Sequence, residues 1–288
     1  MRDGLLVGLI GSGIGPSLSP ALHEREAAEL GLPHRYLRWD LDELAAAPEA
    51  VGELLVRARA EGYRGLNITH PCKRLVLDHL DEVDPDAGAL GAVNTVVFDG
   101  SRAIGHNTDH SGFARSFRRG LPGAALTRVV LLGAGGAGAA VAHALLGLGA
   151  AALRVIDAEP DRADELAAAL RGRFGDRAEA GGDLESELAA ADGLVHATPT
   201  GMAAHPGLPV PASSLSPRLW VADVVYRPLR TELVTAARER GCRVLDGGGM
   251  AVFQAVDSFR LFTGVEPDAE RMLRHFAELE REEAHVGG

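Results

Sequence analysis

Two rhythms of apolar and polar positions run along the chain. Short aliphatic or β-branched runs bounded by glycine, proline or asparagine predict strands, and longer stretches with apolar residues every three to four positions predict helices. In the first half this gives strands at Leu5–Ile10, His34–Asp40 and Arg64–Ile68 and helices at Pro20–Leu30 and Glu49–Glu61. A further helix is expected to begin at Pro71 and run to Leu80. Ser19 stands at the N-cap position of the first helix, with a proline following it. Two β-rich pieces, Ala92–Phe98 and Ala103–His106, flank Asp99-Gly100, a hairpin-turn signal. Ser111–Arg118 reads as a helix.

Gly120-Leu121-Pro122-Gly123 interrupts the pattern, and a domain boundary is expected there. Beyond it the sequence predicts strand Val129–Leu132, helix Gly136–Leu148, strand Leu153–Ile156, helix Asp161–Arg173, helix Leu184–Ala190, strands Gly193–His196 and Trp220–Val225, helix Thr231–Arg240 and strand Arg243–Leu245. Strand-helix alternation of this kind implies a parallel sheet with right-handed crossovers. Helices near Met250–Phe262 and Asp268–Glu283 close the chain, followed by a frayed end at His285–Gly288. The expected fold is α/β in two domains: residues 1–122, completed by C-terminal helices within 247–288, and residues 123–246.

Composition narrows the function. The chain has 288 residues, enough for two cores, with 46% hydrophobic and 24% charged residues, ordinary values for a globular protein. Two cysteines, Cys72 and Cys242, build neither a disulfide framework nor a zinc cluster, and a reducing cytoplasm is the expected address. The start, Met1-Arg2-Asp3-Gly4, leads into an apolar strand without a signal-peptidase pattern. A formal net charge of -11 disfavours nucleic acid. From Val129 to Leu153 no acid or base occurs except His143, but the glycines inside that stretch suit a buried strand, turn and helix better than a membrane span.

The first chemical signal lies in that stretch. Gly133-Ala134-Gly135-Gly136-Ala137-Gly138 matches G-x-G-x-x-G directly after an apolar strand and at the start of a helix. That context supplies a tight turn, close backbone approach to a pyrophosphate, and a helix N-terminus whose dipole favours an anion. The following strand ends in Asp157, whose carboxylate suits ribose hydroxyls and repels a 2′-phosphate. Residues 123–246 are therefore read as a Rossmann-type dinucleotide-binding domain, with NAD expected. NADP stays open because Arg162 could reach a phosphate or lie over the adenine, or simply be solvated.

The second signal is a lone lysine: of 29 basic side chains only Lys73 is not arginine. It follows Asn67-Ile68-Thr69-His70-Pro71-Cys72 and is expected in the first turn of a helix, where the dipole disfavours a cation and makes it a readier proton donor. Arginine cannot exchange that proton near neutral pH. Asp109, in Asn107-Thr108-Asp109, offers a partner carboxylate or an ordinary helix cap, and Asn94-Thr95 places polar groups inside an apolar run. Spacing alone does not show that these segments meet. The eleven histidines include no H-E-x-x-H, and no metal site is expected. Cys72 is read as a small residue on a helix face, and Trp39 and Trp220 as core.

Taken in order, these motifs resemble the shikimate dehydrogenases, including the quinate/shikimate dehydrogenase branch, over nearly the whole chain. Ser17-Leu18-Ser19-Pro20 with His23 is similar to the family's carboxylate-holding serine pair, and Asn67 to Lys73 to its catalytic-lysine segment. Asn94-Thr95 and Asn107-Thr108-Asp109 resemble the substrate asparagine and the lysine's aspartate, and Gly133 to Gly138 the cofactor loop. Asp223-Val224-Val225-Tyr226-Arg227-Pro228 and Gly247-Gly248-Gly249-Met250 with Gln254 resemble later substrate and nicotinamide contacts, and Thr198 falls in a further cofactor segment.

The resemblance implies a substrate domain and a cofactor domain with the active site in the cleft between them, and reversible NAD(P)-linked reduction of 3-dehydroshikimate to shikimate within aromatic amino acid biosynthesis. It assigns Lys73 and Asp109 to catalysis; Ser17, Ser19, Asn67, Thr69, Asn94, Tyr226 and Gln254 to substrate; and Gly133, Ala134, Gly135, Gly136, Ala137, Gly138, Asp157, Arg162, Thr198, Val224, Gly247 and Met250 to the cofactor. Quinate is a further candidate substrate, and a monomer or homodimer without membrane or nucleic-acid partners is expected. Two features depart from the common pattern. Asp157-Ala158-Glu159 replaces an Asn-Arg-Thr type of segment, as in NAD-using relatives, and His196 stands where asparagine is common and is read as filling space. Ser19 favours shikimate, since quinate users tend to carry threonine there. An aminoshikimate-type dehydrogenase and a non-catalytic NAD-sensing protein are the alternatives.

Overall fold

The computed structural model describes residues 4–286, and side chains up to residue 282. Met1 to Asp3, Gly287 and Gly288, including part of the expected frayed end, lie outside the described residues. The chain divides into two compact units, residues 1–108 with 252–288 and residues 109–251. The division falls before Asp109, ahead of the Gly120–Gly123 break, because the helix that starts at Asp109 packs against the second unit's first crossover helix.

The first unit is built from β1 (Leu5–Gly11), α1 (Ser19–Glu29), β2 (His34–Asp40), α2 (Val51–Ala60), β3 (Gly65–Ile68), β4 (Glu82–Val83), α3 (Pro85–Leu90), β5 (Thr95–Asp99) and β6 (Arg102–His106). Its mixed sheet has the order β2-β1-β3-β5-β6-β4. β1 pairs in parallel with β2 and β3, and β5 is antiparallel to both β3 and β6. The β5–β6 hairpin turns at Gly100, where φ is 60°.

Local chemistry explains where the elements depart from the sequence reading. Ser19 is the first residue of α1 and not its cap; Leu18 holds the cap position with no side-chain bond, and Pro20 supplies the preset φ. No α-helix follows Pro71. The chain makes turns through Lys73 and then a 3-10 helix over Leu75–His79. The Lys73 carbonyl accepts the Val93 N–H at 2.8 Å, which takes it out of any helical ladder. α3, unforeseen, is capped by Asp84, whose carboxylate accepts the Asp86 N–H. The short strands β4 and the second unit's Ala178–Ala180 carry too few residues for a periodic signal.

The second unit comprises α4 (Asp109–Gly120), β7 (Arg128–Leu132), α5 (Gly136–Gly147), β8 (Ala152–Ile156), α6 (Pro160–Phe174), β9 (Ala178–Ala180), α7 (Leu184–Ala189), β10 (Gly193–His196), β11 (Trp220–Asp223), α8 (Glu232–Glu239) and β12 (Arg243–Leu245). All six strands are parallel in the order β12-β11-β10-β7-β8-β9. This is the doubly wound Rossmann order, whose direction reverses between β7 and β10. Apolar clusters cover both faces, one with Val129, Leu131 and Leu145, the other with Val130, Leu194 and Val221. Trp220 lies over Gly193, where an added Cβ would meet the indole at 2.0 Å.

α9 (Gly248–Thr263) carries the chain out of the second unit, and α10 (Ala269–Val286) runs past Glu283, where the helix was expected to end. Phe262 of α9 belongs to the first unit's core beside Val7, Leu9, Tyr36 and Val97. The opposite face of that sheet buries Ile10, Leu66 and Ile68 with Leu54, Leu55 and Val76. Gly65 makes the Phe262 contact possible, because a Cβ there would meet the ring at 2.6 Å. α10 is held on α1 by Glu26, which is fully buried and accepts the Asp268 N–H and both a Nε and a Nη2 hydrogen bond from Arg271.

Candidate active site

In the first unit the polar residues expected at the site gather at the ends of β1, β3 and β5. Asp40, at the end of β2, accepts the N–H groups of Gly13 at 3.1 Å, Ile14 at 2.8 Å and Asp42 at 3.1 Å. That carboxylate shapes the loop leading to the half-buried Ser17 and Ser19, whose own link is the Ser19 N–H on Ser17 Oγ at 3.3 Å. The loop after β3 lies alongside: Thr69 N–H donates to Ile10 O at 2.9 Å, and Ser12 N–H to His70 O at 3.0 Å. Gly11 is required here, because a Cβ would sit 2.3 Å from the Thr69 methyl.

Asn67 and Asn94 are both buried and belong to one chain of hydrogen bonds. Tyr36 Oη donates to Asn67 Oδ1 at 2.7 Å, and Asn67 Nδ2 donates to Thr95 Oγ1 at 3.0 Å. Thr95 Oγ1 donates to Asn94 Oδ1 at 2.9 Å, which also accepts the Thr108 N–H at 2.8 Å, while Asn94 Nδ2 reaches Thr108 Oγ1 at 3.0 Å. Asn67 thus spends its amide hydrogens inside the protein and braces the neighbouring strands. Asn107 donates to Ala92 O at 2.9 Å and fixes the other side of the same segment. Half-buried Lys73 is joined to this framework through its carbonyl bond to Val93, beside Asn94. Because the segment is not α-helical, the helix dipole is not what distinguishes this lysine. Gln254 is half-buried on α9 in the same unit.

Asp109 opens α4 in the second unit, and the whole expected cofactor set lies in that unit too. Gly133 has φ 102°, and an added Cβ would fall 2.6 Å from Ala197 O and 3.0 Å from the Thr198 methyl. A Cβ on Gly138 would lie 1.9 Å from Gly133 O, so the turn and the first turn of α5 close only with glycine at both ends. Gly135 and Gly136 face open space, and α5 begins without a side-chain cap, an arrangement that fits a pyrophosphate on the helix N-terminus. Asp157 Oδ2 accepts the Ala134 N–H at 2.7 Å and Oδ1 the Glu159 N–H at 3.0 Å, fixing an anionic carboxylate at the end of β8. Arg162 pairs with Glu159 at 3.3 Å on the surface.

Across the switch point, the Val224 N–H donates to His196 O at 3.0 Å, and Gly247 packs on the Val224 and Val225 carbonyls, where a Cβ would come within 2.6 Å. Met250 packs half-buried against the core of this unit, and Tyr226 follows β11 half-buried. His196 does more than fill space. Its Nδ1 lies 2.9 Å from Asp223 Oδ1 and its Nε2 2.5 Å from Thr198 Oγ1. The sequence reading also passed over Tyr36 and Asp40. Asp40 had a visible signal, an acid closing an apolar strand; Tyr36 had none.

His106 ends β6 and His110 lies in α4, so their four-residue spacing does not fall on one helix. Among the described residues no group of three or more His, Cys, Asp or Glu could hold a metal ion, and no helix is long and apolar enough to cross a membrane.

Comparison with known proteins agrees with this architecture. The model of the shikimate dehydrogenase substrate binding domain matches residues 9–96, and that of the shikimate 5'-dehydrogenase C-terminal domain residues 247–275. The chain is 66% identical to a shikimate dehydrogenase (NADP(+)) of Streptomyces avermitilis, over 96% of this chain and 97% of the relative. It is 51% identical to a quinate/shikimate dehydrogenase (NAD(+)) of Corynebacterium efficiens, over 96% of this chain and 99% of the relative. A solved quinate dehydrogenase from Corynebacterium glutamicum in complex with NAD superposes with a TM-score of 0.91 at 49% identity, covering 96% of this chain and all of that one. With its substrate-domain sheet, its Rossmann-type second unit and these relatives, the chain belongs to the shikimate dehydrogenase family of oxidoreductases acting on a secondary alcohol.

Proposed function

We propose that the protein catalyses the reversible reduction of 3-dehydroshikimate to shikimate, serving aromatic amino acid biosynthesis in the cytoplasm, with NAD preferred over NADP and quinate as a second substrate. The observation that carries the cofactor preference is Asp157, an anionic carboxylate held at the end of β8 by two backbone N–H groups. Asp157, Glu159 and Asp161 stand together there, and Arg162 is occupied by Glu159, so a 2′-phosphate meets negative charge without a dedicated cation. Ribose hydroxyls, in contrast, are good donors to Asp157. The Gly133–Gly138 loop would hold the pyrophosphate, with Thr198, Val224, Gly247 and Met250 toward the nicotinamide side.

A nicotinamide held there would supply or accept the hydride. Lys73 as an ammonium gives a proton to the ketone oxygen as negative charge develops on it, and as a neutral amine takes that proton back in oxidation. Asp109 orients the lysine and accepts from the neighbouring ring hydroxyl. Ser17 and Ser19 bind the substrate carboxylate, and Asn67, Thr69, Asn94, Tyr226 and Gln254 complete a polar lining suited to a small polyhydroxylated acid.

A steady-state matrix of shikimate and quinate against NAD and NADP tests the proposal, with NAD expected to give the higher kcat/KM. The relative at 66% identity bears an NADP name, which makes NADP preference the rival reading; a higher kcat/KM with NADP would establish it and remove Asp157 as the selector.

A further inference from the structure

The end of β10 carries a buried hydrogen-bond relay that the reaction as described does not use. His196 has no exposed surface and Asp223, at the end of β11, is 2% exposed. Asp223 Oδ1 receives the Val225 N–H at 3.0 Å and faces His196 Nδ1 at 2.9 Å. Its Oδ2 lies 2.6 Å from the hydroxyl of Thr231, the N-cap residue of α8. Thr231 Oγ1 accepts the Val234 N–H at 3.1 Å, so its own hydrogen is free to go to Asp223.

With Asp223 ionised and His196 neutral, these bonds give the relay one direction. Both Asp223 oxygens are acceptors, so His196 Nδ1 carries the hydrogen it donates. In the neutral imidazole Nε2 is then a bare acceptor, and the hydrogen of Thr198 Oγ1, 2.5 Å away, turns inward to it. Thr198 Oγ1 also takes the Thr200 N–H at 3.3 Å. With His196 neutral, this hydroxyl offers a ligand a lone pair and no hydrogen. Its place is set as well, because its methyl packs against the position where Gly133 has no Cβ, at the switch point of the sheet.

We propose that His196 is a positioning residue of the dinucleotide site: through Asp223 and Thr198 it presents a fixed acceptor to the hydroxyl or amide hydrogens of the bound cofactor and ties that acceptor to the Val224–Tyr226 segment. The proposal rests on the reading of this loop as the cofactor site. An acceptor without a hydrogen selects ribose or carboxamide groups and turns away phosphoryl oxygens, so Thr198 belongs to a part of the site where no phosphate lies.

The test is calorimetric titration of NADH, NADPH and ADP-ribose into wild type, His196→Leu, His196→Asn, Thr198→Val and the double variant His196→Leu/Thr198→Val, with melting temperatures alongside. His196→Leu and Thr198→Val are each expected to weaken dinucleotide binding about tenfold, and the double variant no further, because both break one relay. His196→Asn, which keeps one donor and one acceptor, is expected to bind within a few-fold of wild type. An effect on NADH and NADPH but not on ADP-ribose supports contact with the nicotinamide; an equal effect on ADP-ribose supports contact with a ribose. If His196→Leu does not fold, Thr198→Val and His196→Asn still decide. Unchanged binding in Thr198→Val, or additive losses in the double variant, would overturn the proposal. A purely structural His196 would lower the melting temperature of its variants and leave Kd alone. A wild type that binds neither NADH nor NADPH would instead overturn the reading of the loop itself.

Discussion

Asp157 Oδ2 accepts the backbone N–H of Ala134 at 2.7 Å, so the side chain we propose as the cofactor selector also holds the glycine loop proposed to bind the pyrophosphate. Asp157→Asn separates the two roles, since the amide oxygen keeps one backbone bond while the charge is lost. The expected outcome is a fall in kcat/KM with NAD and a rise with NADP, moving their ratio by about tenfold, or about 1.4 kcal/mol. Parallel steady-state runs with the two cofactors measure it; an unmoved ratio would show that charge at this position does not select.

Lys73 is the one basic side chain of 29 that is not arginine. Lys73→Arg keeps the charge and removes the exchangeable proton, so kcat should fall by at least about 10²-fold while KM for shikimate changes only a few-fold. Near-normal turnover in that variant would take Lys73 out of the chemistry.

Behind the Tyr36–Asn67 bond, His23 and His34 stack with ring centroids 6.0 Å apart against Tyr36 and Phe259. Burial, with a smaller contribution from repulsion by His34, lowers His23 to about 3, and burial lowers His34 to about 4. Both folded values lie below that of an unfolded histidine, near 6.5. The unfolded chain therefore takes up protons first, and stability present above about pH 6.5 is lost as the pH falls toward about 4 for His34 and about 3 for His23, at up to about 1.4 kcal/mol per pH unit per group. Urea midpoints should drop between neutral pH and about pH 5, and His34→Gln should flatten that drop. A wild-type midpoint independent of pH across this window would contradict the account.

Glu26→Gln should be costly because it leaves the Arg271 guanidinium beside a neutral partner. Removing one member of a buried ion pair typically costs about 3–5 kcal/mol. The expected signature is a lower urea midpoint together with faster hydrogen exchange in α10, while Glu26→Gln/Arg271→Met recovers much of the loss. Equal midpoints for wild type and Glu26→Gln would show the pair to be dispensable.

The second unit was legible because each crossover leaves its own local record: an apolar strand, a glycine or proline, then a helical period. Gly133, Gly138 and Asp157 could be read in place for that reason. The first unit was harder. The Lys73 turn follows from a bond to Val93 that lies far along the chain, and the Pro71 signal pointed to a helix that this bond replaces. Tyr36 gave no hint, since its value comes from Asn67 on another strand. His196 looked like a substitution for asparagine until Asp223 and Thr198 appeared on either side of its ring. Polar partnerships across strand ends have no period, and periodicity was what the sequence offered.

The contact of Phe262 with Gly65, joined by the Arg64 Nε bond to Phe262 O at 3.2 Å across 198 positions, sets an order of assembly. On the ribosome, the strands made first have one sheet face covered by α1 alone until α9 emerges. The second unit, continuous from 109 to 251, has all of its strands before then. The part of the protein translated first is thus the part completed last, and in the interval the apolar surface that α9 will cover is what a chaperone would meet.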